Sequence, residues 1–519
     1  MQAALERLAE ADILLVQGLP PEADYRFKHA LIQDAAYENL LKSRRQVLHR
    51  RIAETLRDNV VAGAVAEPEL LAHHFTQAGL AEGAIEWWGK AGQRSLERSA
   101  LIEAIAQLTR ALDQIATLPA TPVLRREEIK LQAALITPLL HVKGFAAPET
   151  RAAAERARLL IEQAEALGEP PDDPLLLFSA LFGSWVASHV AFNGDAMREL
   201  GAQFLAVAEK QGATAPLLIA HRLMGISLAW TGNIAEGRVH YDQGVALYDP
   251  AKHRPLATRF GQDAGVSILC FRSLALWLLG YHDAALADSE RALKDAREIG
   301  QAATLMFALL HASMTHICCG NYATANALLD ELVPLADEKG ASFWKAYGMS
   351  LQGCLLVLTG KASDAVHMMT SGMAAWRSTG ATMWVPVYLS HLARAYADVG
   401  KFDQAWRCIG EAIAAIETAK ERWWEAEVNR IAGEMALKSP APDAAKAQVY
   451  FERALAVARQ QQAKSFELRA AMSLARLWRD QGKVRQAREL LAPVYGWFTE
   501  GFDTLDLKEA KALLDELHA

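Results

Sequence analysis

The chain has 519 residues, of which 52% are hydrophobic and 22% charged, with a formal net charge of −7 and a pI near 6.1. That length is too great for one core and calls for several domains or an elongated repeat array, and the apolar content excludes wholesale disorder. The acidic balance argues against a nucleic-acid binder, and no apolar run reaches the roughly 18 to 20 residues that cross a bilayer.

Alanine and leucine dominate and β-branched runs are scarce, so helix is expected throughout. The opening "MQAALERLAEADILLV" carries acids inside its apolar stretch and lacks a basic leader, unlike a signal peptide. Residues 1–60 then give a short helix, "ILLVQ", a Pro-Pro turn and "YRFKH", which predicts a two-stranded wing with a helix on either side. "SRRQVLHRR" (43–51) gathers four arginines around His49, but residues 1–60 hold nine Lys/Arg and nine Asp/Glu. A locally neutral module favours a solvated helix face, or contact with another domain, over DNA.

In residues 61–118, "ELLAHHFTQAGLAEGAIEWWGKAG" places Ala72, Phe75, Gly79, Ala84 and Ala91 as a helical hairpin, with Ala104, Leu108 and Ala111 continuing as a further helix. His73 and His74 are adjacent and point about 100° apart on a helix, a poor arrangement for co-ligation, so no metal is expected. Residues 119–174 lose the pattern; "LPATPVLRREE", "GFAAPET" and "LGEPPDDP" predict proline-bearing joints in a helical connector.

From 175 to 519 one punctuation recurs. Gly232, Gly280, Gly320, Gly360, Gly400 and Gly482 are separated by 48, 40, 40, 40 and 82 residues, the last step missing a beat in "LKSPAPDAAKA". Alanine follows five residues later at Ala285, Ala325, Ala365, Ala405 and Ala487. Each unit predicts two amphipathic helices, the glycine ending the first in a left-handed turn and small residues letting the helices approach closely. At Gly400 both the turn and close packing are expected to resist a larger side chain. The final "GWFTEGFDTLDLKEAKALLDEL" predicts a capping helix. Small, aromatic, glycine, alanine, aromatic, alanine in this order resembles the tetratricopeptide repeat, with a period of about 40 in place of that family's usual 34. The resemblance implies a right-handed superhelix of helical hairpins.

"YRFKHALIQDAAYENLLKSRRQVLHRRIAETL" and the C-terminal "ERWWEAEVNRIAGEMAL" and "AKSFELRAAMSLARLWRDQGK" resemble bacterial STAND-type signalling ATPases, in the branch where a class III adenylate cyclase domain precedes the ATPase and a tetratricopeptide array follows. The chain corresponds to the C-terminal half of that architecture, its first 60 residues resembling a winged-helix remnant. No GxxxxGK[ST] phosphate loop occurs in it, so the family's cyclase and ATPase activities do not carry over.

No catalytic, cofactor or metal residues are therefore assigned. Cys270, Cys318, Cys319, Cys354 and Cys408 form no CxxC pair and fit the core of a reduced, cytoplasmic protein. The pairs Trp87-Trp88 and Trp423-Trp424 are each expected to leave one member exposed. Superhelix geometry points the first helices inward, which makes Val387, Ser390, Arg394 and Arg430, with Trp423 and Trp424, the candidate concave-face residues for a peptide, an acidic motif or a small effector. The favoured function is a non-catalytic interaction scaffold whose N-terminal 60 residues contact an ATPase or cyclase domain. The alternatives are a fragment or split subunit of such an enzyme and, disfavoured by charge, a winged-helix transcriptional regulator.

Overall fold

The computed structural model describes residues 2–18, 23–61, 67–144, 147–169, 173 and 175–518. They fall into two compact units, residues 1–92 with 107–120, and residues 93–106 with 121–519. In the first, helix Gln2–Glu10 leads into strands Leu14–Gln17 and Asp24–Phe27, which pair antiparallel with Leu14 opposite Phe27. Helices Ala30–Glu38, Lys42–Val61 and Pro68–Gln77 follow. The expected Pro20-Pro21 turn lies outside the described residues, as do parts of the "GFAAPET" and "LGEPPDDP" joints.

The second unit is an array of antiparallel helical hairpins of the tetratricopeptide kind. Its glycine turns share one geometry. All six glycines take positive φ, and the amide of the next residue donates to the carbonyl five positions back, as in Asn321 N to His316 O (2.8 Å) and Lys401 N to Tyr396 O (2.8 Å). The five alanines are fully buried between the two helices. The 48-residue step has a structural cause: two short helices, Pro250–His253 and Ala257–Phe260, are inserted between Ile234–Leu247 and Ala264–Leu278.

First and second helices are buried differently. In Ala264–Leu278 every residue but Arg272 is buried, whereas its partner His282–Ile299 buries one face only. A helix apolar all round requires cover on all sides, and the cover comes from a later part of the same array. Thr382 N and Met383 N donate to Val190 O at 2.9 and 3.0 Å, and Arg422 N and Trp423 N donate to Trp230 O at 3.0 and 3.3 Å. Ser465 Oγ donates to Trp277 O, and Leu505 N approaches Cys319 O at 3.5 Å. In each case the C-terminal end of a first helix receives donors from the start of a first helix about 190 residues onward. Those carbonyls lie at helix ends, where intrahelical donors run out, and although Trp277 O also accepts from Gly280 N of its own turn, at 3.0 Å, each coil caps the one before it.

The superhelix interior is consequently filled. Aromatic rings run through it in contact: Phe271 with Trp230 (5.9 Å between centroids), Trp230 with Trp423 (4.9 Å), Trp423 with Trp384 (4.7 Å) and Trp424 (4.9 Å), and Trp424 with Phe466 (5.1 Å). This corrects the expected exposure of one tryptophan in each pair, since Trp87, Trp88, Trp423 and Trp424 are all buried. Trp423 and Trp424 sit at the entry to helix Glu425–Lys438, not on a helix face, so both rings can turn inward. Among the described residues, no helix is long and apolar enough to cross a membrane.

Close packing at the turn glycines also differs from expectation. A Cβ at Gly320 would stand 2.5 Å from Leu505 Cβ of the next coil, whereas one at Gly400 meets nothing within 4 Å. Gly400→Ala should cost about 1–2 kcal/mol through backbone strain alone. Gly320→Ala should cost measurably more, because Leu505 must also move; equilibrium urea unfolding of both variants checks this difference.

Burial also fixes the pH response. It drives the imidazoles of His189 and His391 down to about 3 and those of His141, His282 and His311 down to about 4. These rings stay neutral in the fold, so their contribution is full above pH 6.5 and lost as pH falls toward 4. Glu421 acts in the opposite sense. Burial lifts its carboxyl to about 8 despite hydrogen bonds from Trp423 Nε1 (3.1 Å) and Trp384 N (2.9 Å). Its contribution is full below pH 4.5 and lost as pH rises toward 8. Thermal unfolding between pH 4.5 and 8.5 should therefore show greatest stability near neutrality, and Glu421→Gln should flatten the alkaline limb while leaving the acid limb in place.

Candidate functional site

Where the array ends, the interior opens into a cleft of about 290 Å³. Successive first helices supply its wall: His391 and Arg394 from Val385–Asp398, Glu427, Arg430 and Glu434 from Glu425–Lys438, and Arg469, Ser473 and Arg476 from Lys464–Asp480. Asp506 and Glu509 come from the capping helix Leu505–Glu516, and Tyr322 and Leu358 complete the lining.

The charges are organised around one buried carboxylate. Glu427 accepts two hydrogen bonds from Arg430, from Nε at 2.8 Å and from Nη2 at 2.7 Å, and Arg469 lies 3.5 Å from the same carboxylate. The i, i+3 spacing on one helix turns Arg430 back onto Glu427, and Arg430 also pairs with Glu434. Arg469 bonds Asp506 at 2.7 Å, donates to Cys318 O at 3.1 Å and lies over the Trp277 ring. Burial alone would raise the Glu427 carboxyl, but the guanidinium of Arg430, its hydrogen bonds and Arg469 hold it near 2. Arg476 pairs with Glu509 at 2.8 Å.

Four arginines thus face four carboxylates, and three of the arginines are engaged. Arg394 is the exception: partly exposed on the wall, it has no ion pair among the described residues, and its neighbour His391 is neutral. Beside it the wall is Tyr322, Leu358 and Trp424. An unpaired guanidinium against an apolar and aromatic surface offers two parallel N–H donors to one carboxylate.

Of the residues picked from sequence, Arg394, Arg430 and Trp424 line this cleft. Val387 and Ser390 do not: both are buried, Ser390 Oγ donating to Val387 O at 2.8 Å and accepting from Trp424 Nε1 at 3.1 Å. Trp423 is fully buried beneath the surface. Arg430 is spent on Glu427 and Glu434, so of the set only Arg394 keeps its charge available. Sequence reasoning missed Glu427, Arg469, Arg476 and Asp506. One signal was present: Arg394 and Arg476 each precede a turn glycine by six residues (400 − 394 and 482 − 476).

The other sequence candidates lie elsewhere. His73 and His74 stand near a third histidine, His49, whose Nδ1 is 2.7 Å from His74 Nδ1 and whose Nε2 meets Tyr37 Oη at 2.9 Å. Among the described residues, no group of three or more His, Cys, Asp or Glu is arranged to hold a metal. The five cysteines are buried and unbridged, and burial pushes the Cys318 thiol up to about 12.

Removing Glu427 takes the shared carboxylate from Arg430 and Arg469 and leaves them Glu434 and Asp506. Glu427→Ala should destabilise the chain by about 3–5 kcal/mol and Glu427→Gln by less, as read from urea unfolding.

No family model matches the chain. An uncharacterised protein of Rhizobium meliloti (strain 1021) is 28% identical over 441 residues, an alignment that covers 82% of this chain and 41% of that protein. The chain therefore spans less than half the length of this curated relative. Among solved structures, a Rap protein complexed with competence and sporulation factor is similar over 76% of this chain and 97% of its own, with a TM-score of 0.45 and 11% identity. The apo form of the quorum sensor NprR from B. thuringiensis is similar over 71% of this chain and 98% of its own, with a TM-score of 0.42 and 13% identity.

Proposed function

We propose that the chain is a non-catalytic interaction module that binds a carboxylate-bearing ligand, a peptide segment or a small acidic effector, in the C-terminal cleft through Arg394. The observation that carries this reading is the pairing pattern: Arg430, Arg469 and Arg476 are held by carboxylates of the protein, and Arg394 has none. A fixed, paired surround orients the free guanidinium and keeps neighbouring charges from competing for the ligand. Tyr322, Leu358 and Trp424 supply apolar cover for the rest of the ligand.

The wider setting belongs to the same proposal. The chain's resemblance to the C-terminal half of bacterial signalling ATPases supports a role as the sensor array of a longer protein, as does its alignment to 41% of a longer relative. In that setting occupancy of the cleft would bias how the last coil seats on the one before it, and so the state of the array as a whole.

The test uses fluorescent hexapeptide pools with free or amidated C-termini, with and without Asp and Glu, titrated against the full chain. Pools bearing carboxylates should bind, and Arg394→Gln should weaken them roughly 10- to 100-fold, the range for a charged hydrogen-bonded pair. Binding that ignores the carboxylate, or that survives Arg394→Gln, overturns the assignment.

A further inference from the structure

Distinct from the C-terminal cleft, a cavity of about 40 Å³ lies in the filled interior. Arg222 of helix Thr214–Trp230 lines it, with a side chain only 2% exposed. Its guanidinium lies over the Phe182 ring at 5.3 Å, and neither Nε nor Nη1 has a hydrogen-bond acceptor among the described residues. Trp384 Nε1 and His189 Nδ1, also on the cavity wall, are buried and equally without partners.

A buried arginine normally sits on a carboxylate. The acid facing this one is Asp263, and its oxygens are already committed: Oδ2 accepts from Tyr248 Oη at 2.8 Å and Oδ1 caps the following helix through Val266 N at 2.9 Å. No ion pair joins Asp263 to Arg222. His189 and His311 stay neutral, burial being the main cause, so among the described residues Arg222 is the one cation on the wall. Burial lowers even the guanidinium, to about 10, which leaves it charged at neutral pH.

The unpartnered arginine and tryptophan groups are pure donors. Arginine and tryptophan N–H groups cannot accept, so of these unpartnered groups the neutral His189 imidazole alone can offer a lone pair, and a water there would leave the guanidinium charge uncompensated. An anion accepts from all and neutralises the charge. We propose that this cavity is a binding site for one small monoanion, of the halide or one-carbon carboxylate class, held by Arg222 and Trp384. The volume corresponds to roughly three waters, which admits chloride, bromide, nitrate or formate and excludes larger organic acids. One positive charge selects a single negative one. Because Arg222 and Trp384 stand on successive coils, the anion would also fasten the coils together.

The test is thermal unfolding of the full chain at constant ionic strength in sodium gluconate, with chloride, bromide, formate or nitrate replacing gluconate in steps. The melting temperature should rise by on the order of 2 °C and saturate with the small anions. A rise with formate alone would identify the one-carbon carboxylate, and one with chloride and bromide would identify a halide. Arg222→Met should abolish the saturable rise. Identical melting in gluconate and in every small anion overturns the proposal, as does an unchanged response in Arg222→Met. Should that variant not fold, wild-type crystals grown in bromide decide: an anomalous peak within hydrogen-bonding reach of Arg222 Nη1 is expected, and its absence overturns the site.

Discussion

The array depends on how one coil ends against the next. The last carbonyls of an α-helix have no partner within it, and at Val190, Trp230 and Trp277 they are met by donors from residues 382–383, 422–423 and 465. This contact is directional and repeats with the coil, so the hairpins stack in register with little freedom to slide. It also brings the positive end of one helix onto the negative end of another, which favours the same seating.

Once the coils close, side chains fill the axis of the superhelix apart from the cavity beside Arg222. That is why a first helix such as Ala264–Leu278 is buried almost all round and why tryptophan and phenylalanine rings touch along the interior. Burial on this scale forces choices on every polar group it encloses. Histidines stay neutral and Glu421 favours its proton, while Glu427 remains ionised only because two arginines face it. Arg222 is the group for which the protein supplies no such partner.

A tetratricopeptide array usually offers its inner face along its whole length. Here that face opens where the last coil has no successor, at the cleft around Arg394, and the capping helix contributes Asp506 and Glu509 to its rim. Arg469 and Arg476 are paired by Asp506 and Glu509 of the capping helix and Arg430 by Glu427 and Glu434 of its own helix, whereas Arg394 keeps its charge available.

The sequence by itself determined the local structure. Glycine at the turn, alanine five residues later and the 40-residue step dictate helix, left-handed turn and helix, because these are short-range demands of backbone conformation and close approach. The antiparallel wing was legible for the same reason, as alternating strand residues on either side of a turn. The contrast between "AGVSILCFRSLALWL" and "HDAALADSERALKDAREI" was visible too, although its meaning was not. Only the tertiary structure decided what covers the first helices, since residues about 190 apart carry no common pattern and meet only when the coil closes. That closure buried Val387, Ser390 and Trp423, placed Arg469 and Asp506 beside Glu427, and left Arg394 in the open. Whether an inward-pointing residue lines a groove or a core is set by the pitch of the whole superhelix, and pitch is a sum over many small packing angles that no single repeat records.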